Sequence, residues 1–91
     1  MENFVQLHPN DNIVIALKNF EADTVISVNG KEIQLKVAIG FGHKIAIKSI
    51  EKGEKILKYG LSIGSVTQHI SAGEHVHSHN LETDYLVVNE K

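Results

Sequence analysis

Short apolar runs and short alternations, broken every few residues by glycine, asparagine or charge, extend along the whole chain. Ile13-Val14-Ile15-Ala16-Leu17 is a continuous apolar run and predicts a buried strand. Val25-Ile26-Ser27-Val28 and Glu32-Ile33-Gln34-Leu35 flank Asn29-Gly30. An Asn-Gly pair between two β-prone runs predicts a hairpin, because a type I′ turn needs positive φ at both central positions. From His43 to Ile50, Lys44, Ala46 and Lys48 alternate with Ile45 and Ile47, as in a half-buried strand. Glu51-Lys52-Gly53-Glu54 reads as a turn and Lys55 to Tyr59 as a further strand. No stretch of eleven or more residues keeps an i, i+3, i+4 apolar stripe. The pattern therefore predicts an all-β fold of short strands and tight corners. Helix is limited to a short turn near 65–69 or after Leu35.

The chain reads as one domain over 1–83 without internal repeat or linker, followed by a tail over 84–91. Within that tail Tyr85-Leu86-Val87-Val88 is apolar enough to require a partner surface.

Composition narrows the chemistry. There is no cysteine, which excludes disulfides, thiolate metal sites and cysteine nucleophiles and suits a reducing cytoplasm. All nine basic residues are lysine, so no guanidinium is present to grip a phosphate or carboxylate in bidentate fashion. A net charge of −2 and few aromatic residues argue against nucleic-acid binding. No apolar run approaches a membrane span, and no basic-then-apolar leader is visible.

Candidate chemistry is concentrated in His75-Val76-His77-Ser78-His79-Asn80. Alternate residues of a strand share one face, so an extended segment predicts three exposed imidazoles in a row. Neighbours in such a row lie about 6.6–6.8 Å apart at Cα, and metal–nitrogen bonds are about 2.0–2.1 Å. Two of the three can meet on one ion; all three require a sharp bend. His75, His77 and His79 are thus candidate metal ligands, with His77 and His79 as candidate acid–base groups. Asn80 is a candidate for a substrate hydroxyl or a turn residue. His43 and Lys44 form a second cationic pair, with Lys44 the natural partner of a substrate carboxylate. His8 and His69 stay unassigned. An all-β domain of this size rarely encloses a catalytic pocket, and no nucleophile motif is present, so the chain is not expected to be an enzyme alone.

Taken together, His43-Lys44-Ile45-Ala46, Lys58-Tyr59-Gly60, Ile63-Gly64 and Gly73-Glu74-His75-Val76-His77-Ser78-His79-Asn80 resemble the SAF-type β-clip domain of the altronate dehydratase family. The opening His8-Pro9-Asn10-Asp11-Asn12 agrees with this, and the resemblance covers about residues 7–83. It implies a β-clip fold, and elimination of water from a hexonate to give a 2-keto-3-deoxy acid. It also implies a divalent metal, iron or manganese, and a large catalytic partner. Because the chain stops at Lys91, it resembles the family's separate small subunit. Galactarate dehydratases are similar mid-domain but usually lack the histidine run. The small subunit of sulfolactate sulfo-lyase keeps a similar ending and is the second reading. A metal- or sugar-acid-binding module, a purely assembling subunit, and self-association of the chain remain open alternatives.

Overall fold

The computed structural model describes residues 3–82, and these described residues form nine short strands. They are β1 (Phe4–Val5), β2 (Ile13–Ala16), β3 (Val25–Val28), β4 (Lys31–Gln34), β5 (Lys44–Ala46), β6 (Lys55–Lys58), β7 (Leu61–Val66), β8 (His75–Val76) and β9 (Leu81–Glu82). No helix occurs among the described residues; Ser65 and Val66 lie in β7, and the segment after Leu35 bends without forming a helical turn. The tail over 84–91, with Tyr85-Leu86-Val87-Val88, lies outside the described residues.

A four-stranded antiparallel sheet, ordered β1-β2-β5-β8, forms the middle layer. Its alternation sends side chains into two separate cores. Val14, Ala16 and Ile45 join Ile26, Val28 and Ile33 of the β3–β4 hairpin on one side. Ile13, Ala46 and Val76 join Ile56 and Val66 of the β6-β7-β9 sheet on the other. This explains the unbroken apolar run at Ile13–Leu17: a strand covered on both faces has no side to leave polar.

The backbone contains a repeat that the sequence analysis did not predict. The β3–β4 hairpin and the closing β5 recur as the β6–β7 hairpin and the closing β8. Phe20 bridges Ile39 as Ile50 bridges Ile70. The Gly42 N–H donates to the Ala16 carbonyl, and the Gly73 N–H to that of Ala46, each at 2.8 Å. Left-handed residues fall at matching places: Asp23 and Gly53, Asn29 and Tyr59, Gly30 and Gly60, Gly42 and Gly73. The offset is 30 residues up to the hairpin turn and 31 after β7, because β7 carries a β-bulge opposite Ile56/Leu57.

Gly73 is a point of close approach between the copies. A Cβ there would run into the Gln34 carbonyl at the end of β4, and its φ is +93°. Both facts require glycine.

The two hairpin turns solve one problem differently. Asn29 tolerates its φ of 52°, whereas Tyr59, an exposed aromatic, is held at 59°. Asp11 compensates. Its buried carboxylate accepts the Tyr59 N–H at 3.0 Å and the Gly60 N–H at 2.7 Å. Asp11→Ala leaves both donors unpaired and is expected to lower unfolding free energy by about 2–4 kcal/mol in urea titrations. Tyr59→Asn relieves the backbone and is expected to raise it by about 0.5–1 kcal/mol. An unchanged midpoint for Asp11→Ala would contradict the assigned clamp.

Candidate functional site

The register of β5 on β8 determines where the histidines meet. Lys44 stands opposite Val76 and Ile45 opposite His75. One step further along the ladder sets His43 across from His77, on the same face as His75. The rings converge accordingly. His75 Nε2 and His43 Nδ1 are 3.0 Å apart. His75 stacks nearly parallel on His77 at 5.4 Å between centroids, and His43 meets both edge-on at 4.9 and 5.6 Å. One nitrogen from each of His43, His75 and His77 lies within 4.8 Å of the others. His79 tilts against His75 at 5.7 Å.

The grouping differs from the expected row of His75, His77 and His79. Strand β8 ends at Val76 and the chain turns over 77–80, so the segment is extended only at its start. Asn80 makes the turn. Its side-chain Oδ1 accepts the His77 N–H at 2.9 Å, and its own N–H donates to the His77 carbonyl at 2.9 Å. Its Nδ2 donates to the His75 carbonyl at 2.8 Å, and its own carbonyl accepts the Thr67 N–H. Buried at 3% exposure, this amide is committed to the backbone beneath the histidines. His77 and His79 are exposed and His75 is half-buried.

His43 and Lys44, paired in the sequence, separate in the fold. Lys44 points with Ala46 and Val76 toward the second core, and His43 to the other face. Lys44 still stands close enough to His75 to oppose its protonation. His69, unassigned from sequence, lines an open depression of about 380 Å³ with Val37, Gln68, Glu74, His75, His79 and Asn80. Its Nδ1 is 3.3 Å from Glu51 Oε1, and its Nε2 is 3.2 Å from Ser71 Oγ. His8 packs against the Gly60 turn instead, its Nδ1 accepting the Asn10 N–H.

Electrostatics favour a neutral His75. Burial lowers its pKa first, then His43, His77, His79 and Lys44 lower it further. A neutral imidazole has a lone pair to give. The 3.0 Å His43–His75 nitrogen separation suits one shared proton, and equally two cis ligands on bonds of about 2.1 Å. An all-imidazole donor set suits a first-row transition ion better than calcium or magnesium. The three histidines therefore fit a metal ion.

A family model, the altronate/galactarate dehydratase SAF domain, matches residues 2–84. The chain belongs to this family. Relatives of this SAF domain include altronate dehydratase from Bacillus subtilis, 40% identical over 84 residues, covering 92% of the chain and 17% of that protein. Altronate dehydratase from Escherichia coli is 38% identical over 81 residues, covering 89% of the chain and 16% of that protein. The SAF domain thus spans about a sixth of these two relatives. The (2R)-sulfolactate sulfo-lyase subunit alpha of Paracoccus pantotrophus is 34% identical over 61 residues, covering 65% of the chain but 91% of that subunit. The resemblance read from the motifs is the family found.

His75 is expected to remain neutral at pH 7 and to protonate below the usual histidine range. Because its folded pKa is depressed, the unfolded chain binds the proton more readily, so protonating it costs stability as pH falls below about 6.5. Imidazole NMR titration of the metal-free chain checks this; a His75 midpoint above the usual value would contradict the assigned environment.

Proposed function

We propose that this SAF domain is the small, non-autonomous component of a sugar-acid dehydratase of the altronate type, and that its histidines enter a site completed by a large catalytic subunit. The convergence of His43, His75 and His77 at an open surface carries this reading. Three imidazoles assembled by long-range strand pairing form a chemically capable group, and among the described residues the depression beside them is left open. Protein from outside the domain would close it.

The reaction removes a proton from the carbon beside a carboxylate and expels hydroxide from the next carbon. The domain's residues suit parts of this task. His79, exposed and held against His75, is the general acid that protonates the departing hydroxyl. His77 is positioned to work from the same turn, either as a ligand or as a second acid–base group. Lys44 offers charge to the substrate carboxylate. His43 is assigned to the ion-binding set and to the substrate's edge of it, and Asn80 fixes the directions of the rings from below. A divalent ion, iron or manganese, held by His43, His75 and His77 would stabilise the enolate-like negative charge as a Lewis acid. The absence of cysteine suits the reducing cytoplasm as the compartment.

A second reading rests on the subunit-sized relative: elimination of sulfite from a hydroxy-sulfonate, in which the leaving group needs less acid assistance. Co-purification with a large subunit, followed by parallel assays of 2-keto-3-deoxy acid and sulfite, separates the two. The chain alone is expected to turn over neither substrate. In the assembled enzyme His77→Ala and His79→Ala are expected to lower kcat by about 10²–10⁴. Full altronate turnover by the large subunit without this chain would remove the active-site role, and sulfite release without altronate turnover would favour the second reading. His43→Ala is expected to reduce bound manganese or iron in the assembled enzyme, measured by elemental analysis.

A further inference from the structure

The bridge between Ile50 and Ile70 carries a polar flank that its counterpart lacks. It repeats the Phe20–Ile39 bridge down to the hydrogen bonds, which are 2.8 and 2.9 Å long in both. In an antiparallel bridge the residue after one partner stands opposite the residue before the other, so Glu51 faces His69. His69 Nδ1 is 3.3 Å from Glu51 Oε1, and His69 Nε2 is 3.2 Å from Ser71 Oγ. In the first copy Glu21, Ala38 and Gly40 stand at the matching places. An alanine and a glycine supply neither ring nor hydroxyl, yet that bridge forms all the same. Holding the strands together therefore does not account for the Glu51–His69–Ser71 chain. Nor does burial, because the side chains of His69 and Glu51 are 50% and 69% exposed.

The chain has a direction. A carboxylate only accepts, so His69 Nδ1 carries the ring hydrogen and donates to Glu51. In the neutral ring Nε2 then holds the lone pair, and the Ser71 hydroxyl donates to it. A carboxylate behind an imidazole fixes its tautomer and stabilises the cation formed when the far nitrogen takes up a proton. His69 lines the depression of about 380 Å³ together with His75 and His79. His79 is the acid of the proposed elimination. With His77 taken up as a ligand, the elimination still lacks a base.

We propose that His69, backed by Glu51, is that base and works in the same depression as His79. This rests on the lyase reading but not on the choice between water and sulfite, since both eliminations begin by removing the proton beside the carboxylate. Nε2 takes the proton from C2, and the C2–H electron pair passes through an enolate into the C2–C3 double bond. The C3–oxygen bond breaks as His79 protonates the departing hydroxyl; in a hydroxy-sulfonate a carbon–sulfur bond breaks instead, and sulfite leaves with the bonding pair. The enol becomes the keto acid by losing its hydroxyl proton and gaining one at C3, and exchange with water restores both rings. His69 is the catalytic residue and Glu51 a positioning residue.

Two measurements test this. In the full chain alone, nitrogen-15 NMR of the imidazoles at neutral pH is expected to show His69 as the Nδ1–H tautomer, and Glu51→Ala to shift it toward Nε2–H. In the enzyme assembled with a large subunit of the altronate dehydratase type, His69→Gln is expected to lower kcat by about 10²–10⁴ while KM and association with the large subunit stay as in the parent. Altronate deuterated at C2 is expected to react more slowly than ordinary altronate in that variant, because removal of that proton has become rate-limiting. Glu51→Ala is expected to cost kcat less, about 10–100-fold, as for other groups that orient a working imidazole. Parental kcat in His69→Gln, a change confined to KM, or the absence of an isotope effect would overturn the proposal, as would an Nε2–H ring in the chain alone. Weakened association of His69→Gln with the large subunit, with the assembled fraction at parental kcat, would overturn it by making the ring an interface contact. If the assembled parent eliminates neither water nor sulfite, the lyase reading falls and the base falls with it. Lost turnover in His79→Ala, with His69→Gln at the full rate, removes the base alone.

Discussion

Strand β5 is three residues long, and both copies of the backbone motif depend on it. It closes the first by pairing with β2 and opens the second by pairing with β8. Ile45 enters one core and Ala46 the other, each fully buried. A strand used on both faces and both edges cannot shift register, since a slip by one residue would exchange the two cores. The same fixed register carries His43 to His77. The packing constraint and the assembly of the histidines are therefore one constraint.

Much of this was legible from sequence. Asn29-Gly30 gave its hairpin, and the apolar run at Ile13–Leu17 gave a strand covered on both sides. The repeat was not legible, for a physical reason. What the copies share is backbone conformation and burial, which different residues satisfy equally: Asn29 and Tyr59 both adopt positive φ, Phe20 and Ile50 both bridge. The bulge in β7 then shifts the period by one residue, which erases any simple self-match. Two members of the histidine cluster lie in the run, but its geometry was not in the run. His43 lies 32 residues before His75, and only strand pairing joins them. The turn at 77–80 was similarly hidden, because Asn80 makes it through side-chain bonds that no alternation pattern encodes.

The two copies differ in what they carry at matched positions. The first, around Val14 and Val28, is apolar where the second carries Lys44 and Lys58, and no histidine triplet arises within it. The second copy bears the cations, the turn and the rings.

Asn80 has one more implication. A four-residue turn bearing two imidazoles would ordinarily sample many ring directions, and any ion or substrate would have to select among them. Here a single amide reads the backbone at both ends of that turn and is itself anchored to Thr67. The ordering entropy is spent during folding, before anything binds. Reorganisation on binding is then confined to the side-chain torsions of His77 and His79. A loosened turn would therefore register as weaker recognition well before it registered as an unfolded protein.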